Sequence, residues 1–211
     1  MHRFEIQDFE LSYISELSKI VEDTWHINND FGKGFYPKDY LSYCYVKYNY
    51  NLSDYSKMIL VDGKFAGIIF GRINKNFKFF DYFKGNFKNF FMGLNILLKN
   101  KVNFFKLFRF LKKDKKIVFE KKNNEFFDTE VTLFIVDPSF RGLGIGRKLM
   151  NDFKNYCKNN NVKYIYLYTD SMCNINFYDK YGFKQIFKRL NSVKIEKKKI
   201  NYYDYIYIMK P

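Results

Sequence analysis

Histidine, cysteine and long apolar runs are all scarce in this chain of 211 residues, and each scarcity removes a class of chemistry. There are two histidines, His2 and His26, and three cysteines, Cys44, Cys157 and Cys173. Both histidines lie far in sequence from Cys173, so a Cys–His nucleophilic dyad and a zinc site lack their components. Cys173, beside Asp170 and Ser171, therefore reads as a small residue rather than a nucleophile. An odd cysteine count without paired spacing argues against a disulfide framework and for a reducing compartment. No apolar run reaches the roughly 20 residues that a membrane span needs. The opening Met1-His2-Arg3-Phe4-Glu5 carries an acid too early for a signal peptide. A soluble, cytoplasmic protein with no metal is the expectation.

Acids are also in short supply, 22 against 37 lysines and arginines, for a net charge of +15. The excess is local. Residues 75–122 hold 14 bases against three acids, leaving +4 for the rest of the chain. That segment interleaves its bases with 12 Phe and one Tyr, so its meaning has to be argued there. One reading is a lid whose apolar face packs over a sheet and walls an acceptor pocket, with solvated lysines outside. Second stands a membrane-surface element. A nucleic-acid site has only charge in its favour.

What is abundant points to a globular core. Apolar residues make up 47% of the chain, and 26 Phe and 19 Tyr give an aromatic share of 22%. The length suits one domain with an embellishment. Arg3–Gln7 alternates like a first strand, and Leu11, Ile14, Leu17, Ile20 and Val21 predict an amphipathic helix over 11–24. Pro37 is placed to open a second helix carrying Tyr40, Leu41, Cys44 and Tyr48. Residues 57–61 and 65–73 read as strands joined by the hairpin turn Asp62-Gly63-Lys64. An interruption at 74–125 contains two helical patterns. Further strands are predicted at 131–136, 162–168, 183–187 and 200–208, with a short helix from Asn174 to Tyr181 stopped by Gly182.

The chain is organised around Val136-Asp137-Pro138-Ser139-Phe140-Arg141-Gly142-Leu143-Gly144-Ile145-Gly146-Arg147. A run of β-formers precedes it, and Leu149, Met150, Phe153, Tyr156 and Cys157 follow at helical spacing. A helix start presents unpaired N–H groups and a positive dipole end, and glycines let a phosphate approach them. A P-loop would need Lys-Ser/Thr after its last glycine, and Arg147-Lys148 does not supply it. A dinucleotide fingerprint would need a third glycine where Arg147 stands.

Arg141-Gly142-Leu143-Gly144-Ile145-Gly146 fits R-x-x-G-x-G, and Phe177-Tyr178-Asp179-Lys180-Tyr181-Gly182-Phe183 fits F-Y-x-x-x-G-F. Together these resemble the GNAT N-acetyltransferases over roughly residues 126–188. The resemblance implies an α/β (α+β) fold: a mixed, mostly antiparallel central sheet flanked by helices, here with a helical insertion at 74–125 before the strand that feeds the loop. It implies acetyl-CoA as co-substrate and an amine acceptor, attacked directly without an acyl-enzyme. Backbone N–H groups of Leu143, Gly144, Ile145, Gly146 and Arg147 would hold the pyrophosphate. Phe134, Ile135 and Val136 would face the pantetheine arm. Arg141 and Gly142 shape the loop, and Asn174 and Phe177 complete the cofactor-binding set. Many relatives carry Asn where this chain has Ser171, and Asn174 stands as its substitute. Glu130 occupies the place of the family's frequent general base, with Asp128 as competitor, and Tyr178 that of the general acid. Strand alternation puts Glu130, Thr132 and Phe134 on one face and Val131, Leu133 and Ile135 on the other. The acceptor, small molecule or protein amine, and the oligomeric state, with a dimer in view, are left open. A non-catalytic acyl-CoA sensor and a membrane-surface interaction protein are the rival readings.

Overall fold

In the computed structural model of the chain the described residues are 2–25, 40–74, 127–195 and 198–211. They form seven strands: β1 (Phe4–Asp8), β2 (Tyr55–Val61), β3 (Lys64–Ile73), β4 (Thr129–Val136), β5 (Ile165–Asp170), β6 (Lys184–Ile195) and β7 (Lys198–Met209). Four α-helices accompany them: α1 (Ile14–Trp25), α2 (Tyr40–Asn51), α3 (Ile145–Asn159) and α4 (Ile175–Tyr181). The sheet order is β1-β2-β3-β4-β5-β7-β6. Every neighbouring pair is antiparallel except β4–β5. This is the mixed, mostly antiparallel sheet that the resemblance implies.

Local chemistry sets the turns. Asp62 and Gly63 adopt φ of 51° and 77°, the left-handed pair that a two-residue hairpin between β2 and β3 requires. Gly182 ends α4 at φ 108°. The first predicted helix begins with a 3-10 turn at Leu11–Tyr13 before α1, and β6 runs eight residues further than its sequence pattern suggests, paired with β7 to its end. The basic aromatic stretch expected as a helical insertion lies, apart from Asn74, outside the described residues, as do His26 and Pro37.

Helices cover both faces. On one face α3 buries Leu149, Met150, Phe153 and Cys157 against Ile69, Ile73, Val131, Ile165 and Leu167. On the other, Leu17 and Val21 of α1 and Leu41 and Val46 of α2 pack on Met58, Ile68, Phe70, Leu133 and Ile135. Further along that second face, Phe127, Tyr166, Ile206 and Ile208 form a smaller cluster. Each fully buried Leu, Ile, Val or Phe stabilises the fold by about 1.5–3 kcal/mol, so these faces hold the layers together. No helix among the described residues is long and apolar enough to cross a membrane.

One prediction fails, and its failure shapes the site. Phe70 pairs with Leu133 but Gly71 pairs with Val131, so Thr132 is an extra residue in β4, a β-bulge. The alternation therefore changes phase. Val131 faces α3, whereas Leu133 and Ile135 face α1 and α2. Glu130 and Phe134, expected on one face, lie on opposite ones: Phe134 packs against the α3-side cluster, while Glu130 meets Arg72 and Tyr166 on the other. The Thr132 hydroxyl, 2.7 Å from that of Ser53 just past α2, anchors the bulge on the second face.

Candidate active site

The end of β4 turns sharply into α3. The Asp137 carboxylate accepts from the Ser139 backbone N–H at 2.7 Å and closes a 3-10 turn over Pro138–Phe140. Gly142 and Gly144 then take φ of 85° and 74°, positions where an L side chain would be strained. The first hydrogen bond of α3 runs from Lys148 N–H to the Gly144 carbonyl, 3.1 Å. Backbone N–H groups from Leu143 to Arg147 have no backbone acceptor among the described residues. Five donors thus converge at the positive end of a 15-residue helix, a strong anion cradle.

Gly146 is absent of side chain for a different reason. A Cβ there would lie 3.1 Å from Phe177 Cε2 and 3.2 Å from Phe134 Cζ. The two rings, 5.4 Å apart between centroids, fill the space under the first turn of α3. Arg147 lies over the Tyr181 ring at 5.8 Å, and Arg141 is exposed at the loop surface.

Beside this cradle the sheet opens. β4 and β5 pair only over Thr129–Val131 with Ile165–Leu167, although β5 continues with β7 to Asp170. Beyond Val131 the strands part, so the β5-facing backbone of Thr132–Val136, including Phe134, Ile135 and Val136, has no strand partner among the described residues. Tyr178, from α4, packs among Phe134, Phe183 and Tyr207 with ring centroids 5.7–6.4 Å away. Its hydroxyl makes no hydrogen bond among the described residues, and burial, together with Cys173 and Asp170 nearby, pushes its pKa up. Tyr178 is therefore a neutral phenol with a proton to donate. Asn174 is exposed at the N-terminus of α4 and makes no capping bond, and the Ser171 hydroxyl accepts from Tyr203 N–H at 3.0 Å.

Glu130 sits at the neck where β4 and β5 still touch. Its side chain is 17% exposed and pairs with the guanidinium of Arg72 in β3. Tyr166 of β5 donates its hydroxyl to the same oxygen, Oε2, at 3.2 Å. Burial raises the carboxyl pKa, and Arg72 and Tyr166 hold back part of the rise. The competitor Asp128 accepts from Lys163 N–H at 2.8 Å and ties β4 to the start of β5. Arg72, Asn74 and Tyr166 escaped the sequence reading. Arg72 stands as a base in an otherwise apolar strand, a faint signal. Tyr166 is one of 19 tyrosines, and only the β4–β5 register brings it to Glu130. Among the described residues no three His, Cys, Asp or Glu side chains are grouped to hold a metal.

Comparison with known proteins bears on the fold that carries this site. The family model described as "Acetyltransferase (GNAT) domain" matches residues 110–185, which include the loop, α3 and α4. Ard1 from Thermoplasma volcanium superimposes with a TM-score of 0.54 at 17% identity, covering 99% of both chains. The ribosomal-protein-S18-alanine N-acetyltransferase of Escherichia coli gives 0.53 at 11%, covering 99% of this chain and 94% of that one. The PaiA N-acetyltransferase of Thermoplasma acidophilum, solved in complex with coenzyme A, gives 0.50 at 14%, with 99% of each chain covered. At such identities these structures bear on the fold alone. No curated protein sequence matches the chain significantly. With the family model seated on the loop-bearing segment and the neighbours sharing the fold, the chain has a GNAT-like fold whose loop, α3 and α4 match the GNAT acetyltransferase domain.

Proposed function

We propose that the protein transfers the acetyl group of acetyl-CoA to the amine of a small molecule or peptide by direct attack, with Glu130 as general base, alone or through water, and Tyr178 as general acid. The observation that carries this reading is the row of N–H groups from Leu143 to Arg147, unpaired among the described residues, opening onto the edge of β4 that no described strand covers. Such a row fits a pyrophosphate, and the exposed backbone of Phe134, Ile135 and Val136 fits the amide groups of a pantetheine arm. Arg141 and Arg147 flank the anion, Gly142 shapes its loop, and Asn174 and Phe177 border the arm. The coenzyme A in the Thermoplasma acidophilum relative supports the same ligand here.

Acetyl-CoA supplies an activated thioester when bound, and the chain's residues manage protons around it. An alkylammonium with a pKa near ~10 is mostly protonated at pH 7 and cannot attack. Glu130, raised by burial, is a better proton acceptor than an ordinary carboxylate. It opens on the α1/α2 face, whereas Tyr178 lies on the α3/α4 side of the opening in the sheet. The amine would therefore arrive from one face and the sulfur leave on the other. Tyr178, held neutral, donates to the sulfur as its negative charge develops.

Calorimetric titration with acetyl-CoA, joined to a thiol-release screen over an amine panel, tests the reading. Binding that disappears in Gly144→Glu, with turnover on some amine, is the expected result. Glu130→Gln should retain binding and lose about 10²–10⁴ in kcat, the usual worth of a general base. The sign of the pH dependence follows from the raised carboxyl: kcat/KM falls as pH drops through a value above the ordinary Glu range. Binding without turnover on any amine, indifferent to Glu130→Gln, would make the protein an acyl-CoA sensor. No binding at all would sink the loop assignment.

A further inference from the structure

Around Glu130 the side chains close into a ring. The Asn74 side-chain amide donates to the Phe127 carbonyl at 2.7 Å and to the Tyr166 oxygen at 3.0 Å, which identifies its nitrogen and leaves Oδ1 to accept from Arg72 Nε at 3.1 Å. Because the Tyr166 oxygen already accepts from Asn74, its proton is directed at Glu130 Oε2, 3.2 Å away. Arg72 reaches that same Oε2 through Nη2. Glu130 Oε1 receives no hydrogen bond among the described residues. Two donors on one oxygen and none on the other is an asymmetry that a plain structural ion pair does not need. A guanidinium meeting a carboxylate for stability alone favours the two-pronged arrangement that uses both oxygens.

We propose that Arg72, Asn74 and Tyr166 are positioning residues, a clamp that fixes Oε2 of Glu130 and presents Oε1 to the acceptor amine or its relay water. The inference rests on Glu130 being the base. The elements around the carboxylate supply few other groups that titrate. Arg72 comes from β3 and Tyr166 from β5, while Tyr48 of α2 faces Arg72 rather than the carboxylate. Asp128, two residues before Glu130, is turned to Lys163 N–H. Asn74 locks both donors and is held in turn by its own N–H, 2.7 Å from the Asp128 carbonyl. The clamp does two things. It stops the carboxylate from rotating, so that one lone pair is always aimed the same way, and it keeps a buried carboxylate ionised enough to accept a proton.

The test reads Glu130 itself. Full-length protein labelled with carboxyl-13C glutamate is titrated by NMR, with the Glu130 signal assigned by its loss in Glu130→Gln. Removing Arg72 by Arg72→Met should move the Glu130 midpoint up by about one pH unit or more, as expected for loss of an opposite charge in contact. Arg72→Lys keeps the charge and should restore most of that shift. Tyr166→Phe, which removes one hydroxyl and is the gentler variant if Arg72→Met does not fold, should also move the midpoint up. A midpoint unmoved by Arg72→Met, or by Tyr166→Phe where that is the only folded variant, overturns the clamp. The acid limb of kcat/KM for the amine found in the thiol-release screen then separates the two claims. If the limb follows the NMR midpoint across variants, clamp and base stand together. If the midpoint moves while the limb stays, Glu130 is not the base, and the clamp's role in transfer is overturned with it.

Discussion

Adding one carbon at Gly71 is expected to overpack the interface between the sheet and α3. Gly71 lies beside the bulge, opposite Val131, and a Cβ there would fall well inside contact distance of Cε2 and Cζ of Phe153. Phe153 is fully buried in α3, with the Tyr55 ring 5.0 Å and the Tyr156 ring 6.4 Å from its centroid. Regaining the ordinary 3.4–4 Å separation demands a shift of well over ~1 Å in a fully buried ring, or in α3 itself. Overpacking of this kind costs roughly 1–3 kcal/mol, and the upper end applies where the obstructing group is a buried aromatic. About 3 kcal/mol would lower Tm by about 6–12 °C in a chain of this size. The assay is thermal and urea unfolding of Gly71→Ala, Phe153→Leu and the double variant. Leucine lacks the Cε2 and Cζ positions, so the double variant should be more stable than the sum of the single effects by about 1 kcal/mol or more. Strict additivity, or a Gly71→Ala loss below about 0.5 kcal/mol, would refute the steric argument.

Three further outcomes follow from particular residues. Gly146→Ala, whose Cβ would press only lightly at 3.1–3.2 Å, should stay within about 1 kcal/mol of wild type by urea unfolding, since helix propensity offsets the crowding; a loss as large as that at Gly71 would contradict this. Thr129 is buried with its hydroxyl unpartnered among the described residues, so Thr129→Val should raise stability by about 1 kcal/mol in the same assay, and destabilisation would reveal a partner. Burial pushes the Cys44 and Cys157 thiols up to about 12 and also raises Cys173, which alone of the three is partly accessible. A thiol reagent at pH 8 should therefore modify at most one cysteine in the native protein and all three after denaturation; rapid native labelling of two would count against that packing.

Much of the site was legible in one dimension because its parts are local. A helix start, the glycines before it and the strand that feeds it are contiguous, so Leu143–Arg147 could be read as an anion cradle from spacing alone. The helical face of α3 and the Asp62-Gly63 hairpin are equally local, set by periodicity and by left-handed φ. What spacing could not supply is register. The bulge at Thr132 exists only relative to β3, and it moves Phe134 to the face opposite Glu130. Gly146 looks in sequence like one more phosphate-binding glycine, but the Phe134–Phe177 pair beneath it also demands a missing side chain. Arg72 and Tyr166 meet Glu130 from two different stretches of chain, up to 58 positions from it, and Asn74 bonds both of them. Local order is written in neighbouring residues, so the sequence alone determined the strand, the loop and the helix. Which side chains surround the carboxylate depends on strand pairing across long separations, and only the tertiary structure decided that.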